Sequence, residues 1–487
     1  SIEPVETELG RKRAINQASC NKDFSCLEGF CPSFVTVHGG KLRKKSGTKG
    51  SGIGLSLEEA IARLPEPPVP PLTRAYSILA AGIGGTGVVT VGQTLAVAAH
   101  IEGYFSSNLD ITGLAQKYGA VGSHVRIAPD AGMLHATRIG KGELDLLIGC
   151  DLVVAAGAES VSALSSARSV AVVSNELAPT AAFPRDPDWN MDPVALEKSI
   201  RDILGNRAHF VNAQKSADML VGDPLGANMF LLGAAWQRGY VPLSLAALFR
   251  AIELNGVSIE MNKAAFGWGR FAAHDPGVIS TLLDSSGFQA INFLPMQKRR
   301  FEQVLQHRSS HLLDYGDERL VRRYQEFVGV VRAKEQVLGL DERLSTAVAH
   351  NYHKLLAFKD EWEVARLYSA PDFKMELAKQ FEGDYRLHFH LGAWPLARRD
   401  KDTGKVLKRE VGPWVLPVFS LMSHLRIVRN TWLDPFRGNQ ERRFNDQLLS
   451  FYEKDVGTIL ENLNETNVQD AIRLASIPER VRGYGHV

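Results

Sequence analysis

Tyr76-Ser77-Ile78-Leu79-Ala80-Ala81-Gly82-Ile83-Gly84-Gly85-Thr86-Gly87 is the stretch on which the fold turns. A short apolar strand runs into a glycine-rich turn, and a helical pattern follows over residues 88–102. Strand, glycine turn and helix open a doubly wound α/β domain. Further strands are expected at 103–106, 123–127, 151–156 and 170–174, and helices at 193–203, 228–236, 243–254 and 258–271 close the domain. The α/β domain is thereby placed at residues 75–275.

The turn matches the spacing Gly82-x-Gly84-x-x-Gly87 of dinucleotide sites, where glycine lets the backbone approach a phosphate at a helix N-terminus. A nicotinamide site also wants an acid ~20 residues further on. The next strand ends in Ser107-Asn108, with no acid after it until Asp110 and no arginine for a 2′-phosphate, so NAD and NADP are poorly supported. A tight turn with no ligand, another phosphate-bearing ligand and a subunit contact stay open. Ser123, His124 and Asp110 suggest a hydrolase triad, but no G-x-S-x-G elbow surrounds the serine. His124 and Arg126, two residues apart, are expected on one face of a strand.

Residues 1–40 hold three of the four cysteines, as Cys20-x5-Cys26-x4-Cys31-Pro32. Such crowding calls for a shared soft ligand, yet three thiolates are one short of a closed site. The spacing is not that of paired zinc-finger cysteines. An iron–sulfur site, a Cys3His zinc site with His38, and purely structural thiols are the alternatives; Cys150 reads as a small buried residue of another domain. Residues 41–74 form a basic, then proline-rich, linker. Residues 291–487 read as mostly helical, at 297–306, 318–338, 340–366, 373–381, 414–429, 438–462 and 468–475. A small hairpin joins 384–391 to 407–411 around Asp402-Thr403-Gly404. His307/His311, His350/His353 and His388/His390 have chelating spacings, but no carboxylate motif completes any of them.

With 45% hydrophobic and 23% charged residues and a net charge of +2, the chain fits an ordinary globular protein with neither nucleic acid nor membrane as partner. No apolar run approaches the ~18 residues of a spanning helix. Four cysteines in 487 residues make no disulfide scaffold, which favours a cytoplasmic location. A start at Ser1, amid charged sequence, reads as a processed piece, an engineered product or a fragment.

The segment Gln17-Ala18-Ser19-Cys20 through Cys31-Pro32-Ser33-Phe34 resembles the iron–sulfur segment of fused indolepyruvate:ferredoxin oxidoreductases. Gly82–Gly87, Gly113-Leu114-Ala115-Gln116-Lys117 and Ser123-His124-Val125-Arg126 resemble the gamma domain of 2-oxoacid:ferredoxin oxidoreductases, and the helical end down to Arg482-Gly483-Tyr484-Gly485-His486-Val487 is similar to the fused proteins' C-terminal region. The resemblance implies thiamine-dependent oxidative decarboxylation of a 2-oxoacid such as indolepyruvate to an acyl-coenzyme A, with electrons passing through 4Fe–4S clusters to ferredoxin. It implies cluster ligation by Cys20, Cys26 and Cys31. Gly82, Gly84, Gly85, Thr86 and Gly87 would bracket a phosphate of coenzyme A, the co-substrate, or line the contact with the thiamine domain. Thiamine diphosphate and magnesium would sit on a preceding N-terminal portion or partner chain, since no G-D-G…N motif is present here. The chain alone would be catalytically incomplete, and the assembly a homo-oligomer. The fold class expected is α/β: a cysteine-rich ferredoxin-like end segment, a doubly wound gamma-type domain, and a mostly helical C-terminal domain with a small β-hairpin. The rival is a nucleotide-binding α/β module with a Cys3His zinc site, acting in assembly or regulation.

Overall fold

The computed structural model describes residues 2–7, 10–17, 20, 22–28, 31, 33–43, 56–62, 64–113, 119–177, 191–285, 300–392, 398–399 and 406–481. Its strands are β1 (Ile2–Thr7), β2 (Gly10–Ile15), β3 (Ser33–His38), β4 (Lys41–Leu42), β5 (Tyr76–Ile83), β6 (Phe105–Thr112), β7 (Ala120–Ala128), β8 (Leu146–Gly149), β9 (Val170–Ser174), β10 (Ala208–Val211), β11 (Phe381–Glu382), β12 (Arg386–Leu391), β13 (Arg398–Arg399), β14 (Val406–Leu407) and β15 (Arg409–Val411). The helices of the first half are α1 (Leu57–Ala62), α2 (Val88–Ile101), α3 (Leu152–Ala155), α4 (Ala158–Ala163), α5 (Pro193–Leu204), α6 (Ala213–Val221), α7 (Ala227–Gln237), α8 (Leu245–Asn255), α9 (Ile259–His274) and α10 (Pro276–Ser285). Those of the second are α11 (Phe301–Tyr315), α12 (Glu318–Val337), α13 (Arg343–Leu356), α14 (Glu361–Ser369), α15 (Pro371–Gln380), α16 (Val415–Leu425), α17 (Gln440–Asn462) and α18 (Val468–Ala475). The chain divides into two compact units, Ser1–Lys22 with Lys44–Met296 and Asp23–Arg43 with Gln297–Val487.

In the first unit a six-stranded sheet runs in the order β10-β9-β8-β5-β7-β6. Strands β5, β8, β9 and β10 are parallel, whereas β7 runs antiparallel to β5 and β6 antiparallel to β7. The domain is thus mixed rather than wholly parallel. Both faces of β5 are buried, and its residues alternate between two cores, as a period of two requires. Ile78 and Ala80 pack with Val91, Leu95 and Phe230 of α2 and α7, while Leu79 and Ala81 pack with Leu152, Ala155 and Ile200 of α3 and α5. Helices α7 and α9 touch backbone to backbone: a Cβ on Gly233 would lie 2.0 Å from the Phe266 carbonyl oxygen, and one on Gly269 1.9 Å from that of Phe230.

The strand expected at 170–174 is β9, and the helices expected at 193–203, 228–236, 243–254 and 258–271 appear as α5, α7, α8 and α9 within a few residues. The strand expected at 151–156 is an error of phase. The strand lies earlier, at β8, and Leu152–Ala155 is helical because the Asp151 carboxylate accepts the Val154 N–H at 3.0 Å and caps it. Four-residue apolar runs on either side of an aspartate give no periodicity with which to choose. The strand expected at 103–106 extends to Thr112 as β6, and the short β10 was not expected.

The second unit is helical around Leu312, Tyr324, Val328, Val348 and Tyr352. A buried ionic cluster joins the starts of α14 and α17: Arg442 binds both Asp360 and Asp434, Arg429 reaches Asp360 at 2.9 Å, and the Trp362 indole N–H donates to Asp434 at 3.1 Å. Strand β12 pairs with β15 as the expected hairpin requires, while the turn residues 402–404 lie outside the described residues. The other edge of β12 is taken by β3, giving a three-stranded sheet, β15-β12-β3. Phe389, Leu391 and Val411 face Ala365, Val415 and Phe419 of α14 and α16, with Val35 packed against them. The cysteine-rich stretch therefore forms no ferredoxin-like unit of its own among the described residues. Val35 and Val37 alternate with Thr36 and His38, and an amphipathic strand has to bury one face against something. Most of the basic stretch, residues 44–55, falls outside the described residues, as do 114–118 and 482–487 of the resemblance.

Candidate functional site

At the carboxyl end of β5 the chain turns through Gly84–Gly87 into α2. Gly85 (φ 86°) and Gly87 (φ 94°) are left-handed, a conformation glycine adopts without strain. Gly82 is required by packing, because a Cβ there would meet Cys150 Cβ at 2.7 Å and Val88 Cγ2 at 2.8 Å. A Cβ on Gly84 would make only ordinary contact with Val121, at 3.4 Å. The Gly84 N–H donates to the Gly119 carbonyl at 2.8 Å, the Thr86 hydroxyl donates to Ile83 O at 2.9 Å, and Asn228 Nδ2 donates to Thr86 O at 2.8 Å. Gly87, at the N-cap of α2, offers no capping side chain; the Thr90 N–H donates to Gly87 O at 3.1 Å, and the Val88 and Val89 amides are left to solvent or a ligand.

Two acids that sequence reasoning did not single out stand on the same edge. Asp151 follows β8, and burial pushes its pKa up to about 6 against the opposing pull of backbone N–H groups from Val154, Val153 and Ile83. Its Oδ2 has no hydrogen-bond partner and lies where a Cβ on Gly82 would be 3.4 Å away. Glu176 follows β9; burial pushes it up to about 7, although its Oε1 accepts the Lys215 N–H at 2.9 Å. Glu176 Oε2 and Asn175 Oδ1 are also buried without partners. Open α/β sheets take their ligands outside the carboxyl ends of their strands, and unsatisfied buried oxygens on adjacent parallel strands beside an uncapped helix make this edge the candidate site. The one signal in the sequence was Asp151 interrupting the longest apolar run.

Neighbouring motifs resolve differently. His124 and Arg126 share β7 as expected. Ser123 Oγ donates to Asp110 Oδ1 at 2.6 Å across the β6–β7 pair, whereas His124 points to the other side and accepts the Ile139 N–H at 3.3 Å. No triad assembles. Strand β6 is separated from β5 by β7, so Asp110 does not stand beside the glycine turn as a ribose-binding acid would.

Cys20 belongs to the first unit, where its Sγ accepts the Lys22 N–H at 3.4 Å. Cys26 and Cys31 belong to the second, Cys26 in a 3-10 turn over Ser25–Glu28 and Cys31 donating to Ser33 O at 3.3 Å. Both act on the Lys408 ammonium, whose pKa falls through desolvation while the two sulfurs oppose the fall. Lys408 also donates to Leu27 O and lies 5.0 Å above the Phe34 ring. No cysteine is in a disulfide. Cys150 is a partly exposed residue whose thiol is pushed well up, by burial first and then by Asp151, which suits a packing role better than ligation. A cubane cluster takes four thiolates, so Cys20, Cys26 and Cys31 make an incomplete set.

The histidines do not chelate along their helices. His353 Nε2 bonds His311 Nδ1 at 3.0 Å, and His350 Nδ1 accepts from Arg308 at 3.1 Å. His38 joins no thiol group: among the described residues, the set of three or more potential ligands close enough to share an ion is His38, His388 and Glu410.

Residues 77–271 match the family described as pyruvate ferredoxin/flavodoxin oxidoreductase, and residues 301–487 match one described as a family of unknown function (DUF6537). The indolepyruvate oxidoreductase subunit IorB of Methanothermobacter thermautotrophicus is 29% identical over 205 residues, 41% of this chain and 97% of the relative. That of Thermococcus kodakarensis is 25% identical over 206 residues, 42% of this chain and 98% of the relative. Among solved structures, the gamma subunit of the keto/oxoacid ferredoxin oxidoreductase of Geobacter sulfurreducens is 22% identical with a TM-score of 0.30, covering 41% of this chain and 98% of that one. The 2-oxoglutarate:ferredoxin oxidoreductase of Magnetococcus marinus, solved with 2-oxoglutarate, coenzyme A and succinyl-CoA, is 16% identical with a TM-score of 0.31 and covers 42% and 31%.

Proposed function

We propose, from the premise that the chain is a member of the 2-oxoacid:ferredoxin oxidoreductase family and carries its gamma-type domain, that it is the gamma-bearing portion of an enzyme oxidising an arylpyruvate such as indolepyruvate to an acyl-coenzyme A. Electrons would leave through 4Fe–4S clusters to ferredoxin, in a cytoplasmic homo-oligomer. Thiamine diphosphate supplies the ylid chemistry in such an enzyme; here it belongs to a preceding portion or partner chain, together with magnesium. The role left to this chain is binding and electron transfer.

The observation that carries the reading is the glycine turn with the unpartnered buried oxygens of Asp151 and Glu176 at the carboxyl ends of β5, β8 and β9, within the segment matching the oxidoreductase family. First-turn amides of α2 would hold a phosphate of coenzyme A, with Gly85 and Gly87 keeping side chains out of its path. Asp151 and Glu176, titrating at about 6 and 7, would be partly protonated near neutrality and able to donate to a ligand oxygen or accept from its amide. Cys20, Cys26 and Cys31 would supply part of a cluster's ligands, the remainder coming from elsewhere in the enzyme.

Calorimetric titration with coenzyme A tests this site. Gly85→Val is expected to weaken binding at least about tenfold, the scale of a misplaced charge-assisted hydrogen bond, and to leave binding of phosphate-free pantetheine unchanged. Equal binding of coenzyme A by both proteins would remove the phosphate role. For the thiolates, anaerobic reconstitution with ferrous iron and sulfide in the presence of the thiamine-bearing portion is expected to give a reducible paramagnetic signal that Cys26→Ser and Cys31→Ser abolish.

A further inference from the structure

The polar face of the β15-β12-β3 sheet carries a ligand set that no established feature of the chain uses. Strands β3 and β12 pair antiparallel with His388 opposite Thr36 and His390 opposite Phe34, and β12 pairs with β15 with His390 opposite Glu410. With the alternation of a strand, Phe34, Thr36, His38, Arg386, His388, His390 and Glu410 fall on one face. Val35, Leu387, Phe389, Leu391 and Val411 fall on the other and pack into the core. The His38 and His388 ring centroids are 4.4 Å apart, and His388 Nδ1 bonds the Glu410 carboxylate. Thr36 Oγ1 bonds His38 Nε2 at 2.9 Å and His390 Nε2 at 3.0 Å, holding both rings on this face. The ligand atoms of His38, His388 and Glu410 all lie within 4.8 Å of one another.

We infer that His38, His388 and Glu410 bind a divalent first-row cation of the zinc class. Two imidazoles and one carboxylate are donors that suit zinc, iron(II) or nickel better than magnesium or calcium, and three protein ligands leave a position for water or an outside group. The neighbouring Thr36, bonded to His38 and in turn to His390, supplies the kind of outer hydrogen bond that fixes a ligand ring. Positions 38 and 388–410 are far apart in the chain, so the ion would also clamp β3, and with it the cysteine-bearing segment of the second unit, onto β12 and β15. The ligand set contains no sulfur and is independent of any cluster on Cys26 or Cys31.

The test uses the full chain, freed of metal with a chelator and titrated under nitrogen with Zn²⁺ alone, then with Co²⁺ as a spectroscopic probe. One equivalent of Zn²⁺ is expected to bind, with cobalt d–d bands and no sulfur-to-metal charge transfer. His38→Gln and His388→Gln should each weaken binding at least about tenfold, the scale seen even for outer-shell losses. Glu410→Gln, nearly isosteric on an exposed strand position, should do the same and guards against a histidine variant that fails to fold. Cys26→Ser and Cys31→Ser should bind like the parent. Unchanged affinity in His388→Gln and Glu410→Gln, or a thiolate charge-transfer band that the cysteine variants remove, would overturn the assignment.

Discussion

Each unit holds buried titratable groups whose ordinary protonation is shifted, and the acids of one and the imidazoles of the other are bonded differently. The α/β unit buries acids at the edge of its sheet, Asp151 raised to about 6 and Glu176 to about 7, each with one oxygen unpartnered. In the helical unit two imidazoles are shifted the other way: His353 is pushed down to about 2 and His350 to about 4, by burial first and then by the Arg308 charge. Its imidazoles are partnered, with His311 and with Arg308. Partnered groups in a helical core serve packing and specificity, whereas unpartnered buried oxygens are costly unless a ligand completes them.

The comparison breaks most visibly if one unit loses a charge partner. Arg442→Met leaves Asp434 buried without its cation, and the helical unit is expected to lose about 3–5 kcal/mol. Urea unfolding followed by hydrogen exchange, peptide by peptide, should show the loss confined to residues 301–481. Next comes Gly269→Ala in the α/β unit. The new methyl would lie 1.9 Å from the Phe230 carbonyl oxygen, so α7 and α9 must part, at about 1–3 kcal/mol. The same exchange experiment should place this loss in residues 77–285.

A smaller effect sharpens the contrast through pH. The folded His353 and His350 lie below their ordinary value of 6.5, so between those values the unfolded state binds more protons. Helical stability is therefore complete above about pH 6.5 and falls as pH drops, by up to about 1.4 kcal/mol per pH unit for each imidazole. Asp151 and Glu176 have folded values above the ordinary carboxylate range, so their sign is reversed: their contribution is full in acid and fades as pH rises through about 6 and 7. Between pH 7 and 5 the helical transition should move to lower temperature while the α/β transition holds or rises. His353→Leu should flatten the first slope and Asp151→Asn the second. Parallel slopes in the two units would remove the distinction.

Local signals carried much of the fold. The apolar run Ile78-Leu79-Ala80-Ala81 with the following glycines announced a buried strand, a turn and a helix, because those patterns depend only on neighbours in the chain. The helices around 228–236 and 258–271 were legible for the same reason. The α3 segment was not, since Leu152-Val153-Val154-Ala155 is as apolar as the strand before it and only the Asp151 cap decides its phase. The glycine turn of the candidate site was legible; its acids were not. Asp151, Asn175 and Glu176 become neighbours only when β8 and β9 lie side by side.

By itself the sequence determined the α/β start at Tyr76, the helical character of the C-terminal part, and the resemblance that the family match confirms for residues 77–271. Only the tertiary structure decided which groups meet. It placed the antiparallel β7 between β5 and β6, put Cys20 in a different unit from Cys26 and Cys31, and carried His38 to His388 and Glu410. The physical reason lies in strand pairing: an amphipathic strand must bury one face, but its hydrogen bonds do not specify where along the chain the partner comes from.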